Sequence, residues 1–143
     1  MKKLKYFIEF LVIVLLFLIF RIVGYKVASN FGYFIGKNIG PQFRSKGIIK
    51  ENLRKFKTSI NNNEIEEITK KMWGNYGRIL AEYPFIPSFR KRKLEKYIKI
   101  DGLENLEKIK INKEPTVFIS GHFNNFELMA MIIEREGIDP FAV

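Results

Sequence analysis

The residues best suited to chemistry lie near the C-terminal end of the chain, where the only histidine, His122, precedes Glu127 by five positions. A neutral imidazole can take a proton from a hydroxyl as that hydroxyl attacks an acyl group. A carboxylate bonded to the other ring nitrogen fixes the tautomer and stabilises the imidazolium that forms. These two residue types therefore suffice for direct acyl transfer, without a cysteine or serine nucleophile and without a metal.

The spacing of the pair limits how it can be held. On one continuous helix, five steps of about 100° would put His122 and Glu127 roughly 140° apart, too far to cooperate. If His122 ends a strand and Glu127 begins the next helix, both can point into a crevice at the carboxyl edge of a sheet. The alternative is structural: Asn124-x-x-Glu127 has the form of a capping box, in which Glu127 would bond the N-cap amide.

Apolar patterns on both sides of the pair indicate the elements that would position it. The β-branched and aromatic residues at 116–120 predict a strand buried on both faces. Residues 128–133 have the amphipathic pattern of a helix. Upstream, a short strand is expected at residues 97–100 and a helix from 103 to about 110. This order of strands and helices predicts an α/β core.

The N-terminal segment is apolar at residues 6–23 apart from Glu9 and Arg21, and it follows a lysine-rich start. A membrane span needs roughly 20 mostly apolar residues. The segment can therefore span a bilayer if Arg21 reaches the interface, or it can lie partly immersed. A signal peptide is the competing interpretation, but Ala28-Ser29 is a poor cleavage site. We expect a retained anchor, whose orientation the flanking charges leave open.

Three helices are predicted between this anchor and the α/β core. They cover residues 24–39, residues 45–56, and a segment that follows an N-cap at Asn63 and stops at Tyr83-Pro84. Gly32 and Gly36 in the first of them would let another helix approach closely. Trp73 and Tyr76 in the third are most simply core or membrane-interface aromatics, with ligand stacking as the alternative.

Composition excludes several classes of site. The chain has no cysteine, so neither a disulfide framework nor a thiolate metal site can form. With a single histidine, a zinc site would depend on scattered carboxylates, and we expect no metal. The net charge of +10 is uneven, since residues 1–100 hold +14 and residues 101–143 hold −4. The basic part is therefore the part attached to the anchor.

The densest basic segment is residues 88–99, which includes Arg90, Arg92 and Lys93. A solvated helix face is the default explanation for such a segment. Next to a membrane anchor, a surface for an acidic partner or for anionic headgroups is an equal alternative, because each Lys or Arg near a bilayer contributes about 1 kcal/mol of attraction. No nucleic-acid motif is recognisable, so nucleic acid is not an expected partner.

The motif at residues 121–127, Gly-His-Phe-Asn-Asn-Phe-Glu, resembles the Gly-His-x-x-Asn-aromatic-Glu signature of the late acyltransferases of lipid A biosynthesis, the lauroyl and myristoyl transferases. The resemblance extends over essentially the whole chain. It includes Glu51-Asn52-Leu53, Trp73-Gly74-Asn75-Tyr76-Gly77-Arg78 leading to Glu82, and Ile100-Asp101-Gly102-Leu103-Glu104-Asn105. Family members often have Gly in place of Asn124 and Trp in place of Phe126, and they continue into a downstream arginine-containing motif.

The resemblance implies that His122 is the catalytic base and that Glu127 orients it. It also implies a set of substrate-binding residues: Asn125, Arg90, Arg92 and Lys93. The implied reaction moves a fatty acyl group from acyl-carrier protein to a hydroxyl of a lipid A precursor, at the cytoplasmic face of the inner (plasma) membrane. No cofactor is implied beyond the acyl-carrier protein thioester. The expected partners are the membrane lipid acceptor, the acidic acyl-carrier protein and an anionic lipid surface.

The predicted fold class is α/β, with an N-terminal membrane helix and a helical scaffold that lead into the first strands of an incomplete acyltransferase-type sheet. The expected domains are a membrane anchor at residues 1–23, a helical scaffold with a basic surface at 24–95, and the start of a truncated α/β core at 96–143. Truncation is expected because the chain stops where another strand would begin. A phospholipid or glycolipid acyltransferase and a non-catalytic membrane-associated remnant stay open as alternative functions.

Overall fold

The computed structural model describes residues 2–43, 46–113, 115–121 and 124–140. Within these residues the chain forms seven α-helices: α1 (Lys2–Val23), α2 (Tyr25–Ile39), α3 (Lys46–Phe56), α4 (Asn62–Glu82), α5 (Ile86–Arg90), α6 (Leu103–Asn112) and α7 (Glu127–Arg135). Three single-turn 3₁₀ helices cover Gly40–Gln42, Tyr83–Phe85 and Glu95–Tyr97. The chain divides into two compact units, the N-terminal unit at residues 1–84 and the C-terminal unit at residues 85–143.

Helix α1 is the predicted N-terminal apolar helix, and the structure confirms it. This helix of 22 residues is long and apolar enough to cross a membrane, and no other helix of the described residues is. A signal sequence would meet the same criteria of length and composition. Most of the large apolar side chains of α1 are exposed on the protein, whereas Phe20 is buried. Gly24, with a φ of 84°, forms the turn between α1 and α2.

The N-terminal unit is built on the contact between α2 and α4, in which backbone meets backbone. A Cβ atom on Gly77 of α4 would collide with the carbonyl oxygen of Gly32 and lie 2.9 Å from the Cα of Gly36. A Cβ atom on Gly40 would lie 2.6 Å from the ring of Trp73. The close approach of a second helix that was predicted at Gly32 and Gly36 is thus confirmed, and the second helix is α4.

Polar contacts mark the other end of the same helix pair. The carboxylate of Glu82, which is only 5% exposed, accepts hydrogen bonds from the hydroxyls of Ser29 at 2.7 Å and Tyr25 at 3.2 Å. The guanidinium of Arg78 lies 4.7 Å from the centre of the Tyr33 ring, within the range of a cation–π interaction. The buried carboxylate of Glu82 on α4 is therefore satisfied by two hydroxyl groups of α2.

Helix α4 begins with a complete capping box at Asn61. The Asn61 side chain accepts a hydrogen bond from the Glu64 amide, and the Glu64 carboxylate accepts one from the Asn61 amide, each at 2.9 Å. The predicted N-cap at Asn63 is wrong. The sequence offers two capping boxes, Asn61 with Glu64 and Asn63 with Glu66, and the structure forms the first of them.

This capping box makes the stability of α4 depend on pH. The hydrogen bond from the Asn61 amide, and then Lys57 at 2.9 Å, lower the pKa of Glu64 below its ordinary 4.5. A lowered folded-state pKa gives stabilisation that is present above the unfolded value and lost as the pH falls through the folded value. We therefore expect the Tm difference between wild type and Glu64→Gln to be largest at neutral pH and to vanish at acidic pH.

Thermal unfolding followed by circular dichroism between neutral pH and pH 3 would measure that difference. The matched control is Glu107→Gln on α6, because the Glu107 side chain is exposed and has no ion pair among the described residues. The control should show little difference from wild type at any pH. A Glu64→Gln difference that stays constant across the range would contradict the pH dependence.

The predicted α/β fold class is wrong for the described residues, which are helical and contain no strand. Strands were expected at residues 97–100 and 116–120. Tyr97 instead ends a 3₁₀ helix, and residues 98–100 and 116–120 have no regular secondary structure. Val117 and Ile119 are 85% and 91% exposed and Phe118 between them is half-buried, so these residues do not form the strand buried on both faces that their types suggested. β-propensity takes effect only where a strand pairs with a neighbour and packs one face, and neither happens here. The expected domain boundaries stay a prediction.

Candidate active site

Glu127 is the first residue of α7, after a tight turn at residues 124–126. Asn124 has a φ of 49°, and the amide of Phe126 donates a hydrogen bond to its carbonyl oxygen at 3.1 Å. Phe126 is the N-cap residue and makes no side-chain capping bond, so the alternative capping box of Asn124 with Glu127 does not form. The half-buried Glu127 side chain has no hydrogen bond or ion pair with another described residue. Its carboxylate is thus available for another partner.

A cavity of about 330 Å³ in the C-terminal unit contains the Glu127 side chain. Its lining residues come from α5, from α7 and from the segment after α7: Ile86, Arg90, Glu127, Ala130, Met131, Glu134, Asp139 and Pro140. Two residues that the sequence assigned to the site, Glu127 and Arg90, therefore lie around one space. The cavity also holds two further carboxylates, on Glu134 and Asp139, so its charged lining is mostly acidic.

Ion pairs fix α7 to the basic segment that precedes α6. The guanidinium of Arg90 lies 2.6 Å from the Glu134 carboxylate, and both of these side chains are about half exposed. The Arg135 side chain is only 6% exposed and makes two contacts with Glu95, at 2.8 and 3.0 Å. Exposed pairs contribute little to stability, whereas a bidentate pair with a buried arginine contributes more. The Arg135 pair is therefore the stronger restraint on α7.

The other predicted substrate-binding residues lie outside the cavity lining. Arg92 pairs with Glu136 at 3.1 Å and with Glu95 at 3.5 Å. Lys93 is exposed and has no ion pair among the described residues. Asn125 is half-buried in the turn before α7, where its carbonyl oxygen accepts a hydrogen bond from the Leu128 amide at 3.2 Å. Of the four residues, the structure brings only Arg90 to the space beside Glu127.

His122, the predicted base, lies outside the described residues, as does its neighbour Phe123. Its pairing with Glu127 therefore stays a prediction. Among the residues that are described, no group of three or more His, Asp or Glu side chains is arranged to hold a metal ion.

Sequence reasoning missed Glu134 and Asp139 as parts of the site. Glu134 could have been found, because residues seven apart lie almost above one another on a helix and Glu134 follows Glu127 by seven. Asp139 follows the end of α7 and has no sequence signal of this kind. Arg135 was missed for a different reason: nothing in the sequence indicates that this arginine, at a charged helix end, is buried.

Comparison with known families gives one result that covers the whole chain. The model of a family described as bacterial lipid A biosynthesis acyltransferase matches residues 1–143. No curated protein and no solved structure matches the chain.

Proposed function

We propose, because the chain belongs to the bacterial lipid A biosynthesis acyltransferase family, that it transfers a fatty acyl group from acyl-carrier protein to a hydroxyl of a lipid A precursor. The observation that supports this is the family match over residues 1–143 together with the position of Glu127. Glu127 ends the Gly-His-x-x-Asn-aromatic-Glu motif, begins α7 and lines the cavity with Arg90.

In the proposed mechanism, one nitrogen of the His122 imidazole removes the proton of the acceptor hydroxyl as its oxygen attacks the thioester carbonyl. The tetrahedral intermediate collapses with cleavage of the carbon–sulfur bond. The imidazolium returns the proton to the leaving thiolate, so the products are an ester and the free thiol of the carrier protein. Glu127 orients the imidazole and stabilises its cationic form. No acyl-enzyme is formed.

The charges around the cavity suit a base that becomes a cation. Glu127, Glu134 and Asp139 supply three carboxylates, whereas Arg90, which is paired with Glu134, is the only basic residue among the described residues of the lining. Nearby carboxylates favour the protonated form of an imidazole, which raises its basicity. The same negative lining disfavours phosphate groups, so we place the phosphates of the lipid acceptor outside this cavity.

The acidic carrier protein needs a basic surface, and the structure suggests which cations can supply it. Arg90 is engaged with Glu134 of α7, and Arg92 is engaged with Glu136, the residue that follows α7. Lys91 and Lys93 are exposed and have no ion pair among the described residues. We therefore assign the carrier-protein contact to these two lysines. With α1 in the inner membrane, the carrier protein would approach from the cytoplasm.

An assay of donor and acceptor tests the function. Membranes that contain the protein are given a hydroxyacylated lipid A precursor and a labelled acyl group on acyl-carrier protein or on phospholipid, and the products are identified by mass spectrometry. We expect one added acyl ester on the precursor, formed only from the carrier-protein thioester. Acylation from phospholipid, or transfer of the label to phospholipid, would contradict the assignment.

The lysine assignment can be tested in the same assay. The double variant Lys91→Glu, Lys93→Glu should raise the KM for the acyl-carrier protein donor, because two attractive contacts become repulsive. Lys108→Glu with Lys110→Glu, two exposed positions on α6, makes the same change in net charge and should leave that KM unchanged. Equal KM values for the two double variants would show that net charge alone is responsible.

A further inference from the structure

We propose that the N-terminal unit binds one hydrocarbon chain of a bilayer phospholipid in a groove between α1, α2 and α4. This groove, the α1–α4 groove, has a volume of about 270 Å³. Residues of all three helices line it, among them Leu16 and Phe20 of α1, Ile35 and Gly36 of α2, and Trp73 and Leu80 of α4. The proposal is independent of the acyl transfer assigned to the C-terminal unit.

The lining chemistry selects an apolar occupant. The described residues that line the groove are aliphatic, aromatic or glycine, and none of them is charged. Four of the lining residues are glycines, Gly32, Gly36, Gly40 and Gly77, so backbone atoms form part of the groove surface. The volume is just below the ~300–1,000 Å³ range of ligand clefts. An alkyl chain fits a narrow apolar groove of this size, while a charged headgroup would have to stay outside it.

The apolar surface of the groove continues along α1, and this indicates the source of the bound hydrocarbon chain. Leu16 and Phe20 form one wall of the groove, and they belong to the helix that is long and apolar enough to cross a membrane. Their neighbours Leu15 and Ile19 are largely exposed on the protein, so the apolar surface continues from the groove along α1. An apolar patch of this kind is unfavourable in water and favourable against hydrocarbon. The bilayer around α1 therefore supplies the occupant.

Trp73 lines the groove and carries a buried polar donor. Its ring lies between Phe43, at 6.5 Å between ring centres, and Tyr76, at 5.9 Å. Its indole N–H is buried and has no hydrogen-bond acceptor among the described residues. A buried donor without an acceptor is unfavourable, and the ester carbonyl where a lipid chain joins its glycerol is an acceptor of the right kind. The aromatic ring and the free N–H together suit the junction of chain and ester.

The single tryptophan of the chain makes the test direct. The full chain is purified in detergent, phospholipid with brominated acyl chains is added, and quenching of Trp73 fluorescence is measured beside the number of phospholipids retained in native mass spectrometry. Two variants fill the groove, Ile35→Phe and Leu80→Phe. The control is Val27→Phe, which makes a similar enlargement at an exposed position of α2 outside the groove lining.

We expect wild type and Val27→Phe to retain one phospholipid and to show quenching of Trp73. Both groove-filling variants should lose the bound phospholipid and most of the quenching, while their helical circular dichroism stays unchanged. Absence of bound phospholipid from the wild type, or equal retention and quenching in all variants, would overturn the proposal. So would a dimer that the groove-filling variants abolish, because the occupant would then be a second copy of the chain.

Discussion

Glu127→Gln is expected to lower the rate of acyl transfer by about 10²–10⁴-fold, the usual contribution of a general base and of the carboxylate that orients it. The side chain lines the cavity beside Arg90 and makes no hydrogen bond or ion pair with another described residue. Its replacement by an amide of the same size therefore removes no visible structural contact. Rates of transfer from labelled acyl-carrier protein, measured on membranes with equal amounts of each variant, give the effect.

Two further variants separate the catalytic pair from the rest of the cavity. His122→Ala should abolish transfer. Adding Glu127→Gln to this variant should not lower the rate further, because the effects of substitutions at residues that act as a unit are not additive. Asp139→Asn is the control, because Asp139 lines the same cavity without belonging to the motif. It should retain most of the activity. Equal activity in wild type and His122→Ala would remove the proposed mechanism.

Gly77→Ala is expected to destabilise the N-terminal unit by about 2 kcal/mol or more, within the usual range for overpacking. The added methyl group would collide with the backbone of α2 at Gly32 and Gly36, and backbone atoms cannot move aside as a flexible side chain can. The substitution should otherwise be favourable, because alanine exceeds glycine in helix propensity by about 1 kcal/mol. Destabilisation would therefore have to come from the contact between α2 and α4.

Chemical unfolding of the detergent-solubilised chain, followed by circular dichroism, measures this effect. Gly36→Ala should behave in the same way, because its Cβ would collide with the carbonyl oxygen of Trp73. Asn38→Ala is the matched control: Asn38 is an exposed residue of the same helix, so the change should be close to neutral. A Gly77→Ala protein as stable as wild type would show that the helices can separate at no cost.

Features of the fold that depend on the residues of a single helix could be predicted from the sequence. The spacing of Gly32 and Gly36 indicated a close helix contact, and the apolar segment at residues 6–23 indicated α1. The position of the α4 cap was missed by two residues because Asn61 with Glu64 and Asn63 with Glu66 have the same capping-box spacing, and only the structure shows that the first box forms. Local chemistry thus predicts an element more securely than its first residue.

The parts that depend on distant contacts could not be predicted in this way. The β-branched residues at 116–120 suggested a strand, but a strand also needs a neighbour, and local sequence says nothing about whether one is present. For the candidate site, the motif identified Glu127 and the family. The spacing of seven residues would also have indicated Glu134, whereas Asp139 in the same cavity became visible only in the structure. Which cations are paired likewise depends on the fold, as Arg90 and Arg135 show.

The glycine contact between α2 and α4 also has a consequence for conformational entropy and register. Burying a long side chain costs rotamer freedom, whereas burying glycine costs no side-chain entropy at all. The two helices therefore gain close van der Waals contact without ordering side chains at the point of closest approach. A slip of α4 by one residue would bring Tyr76 or Arg78 to the place of Gly77, and neither fits between the backbones. The smallest residue of the interface thus permits only one alignment of the helix pair.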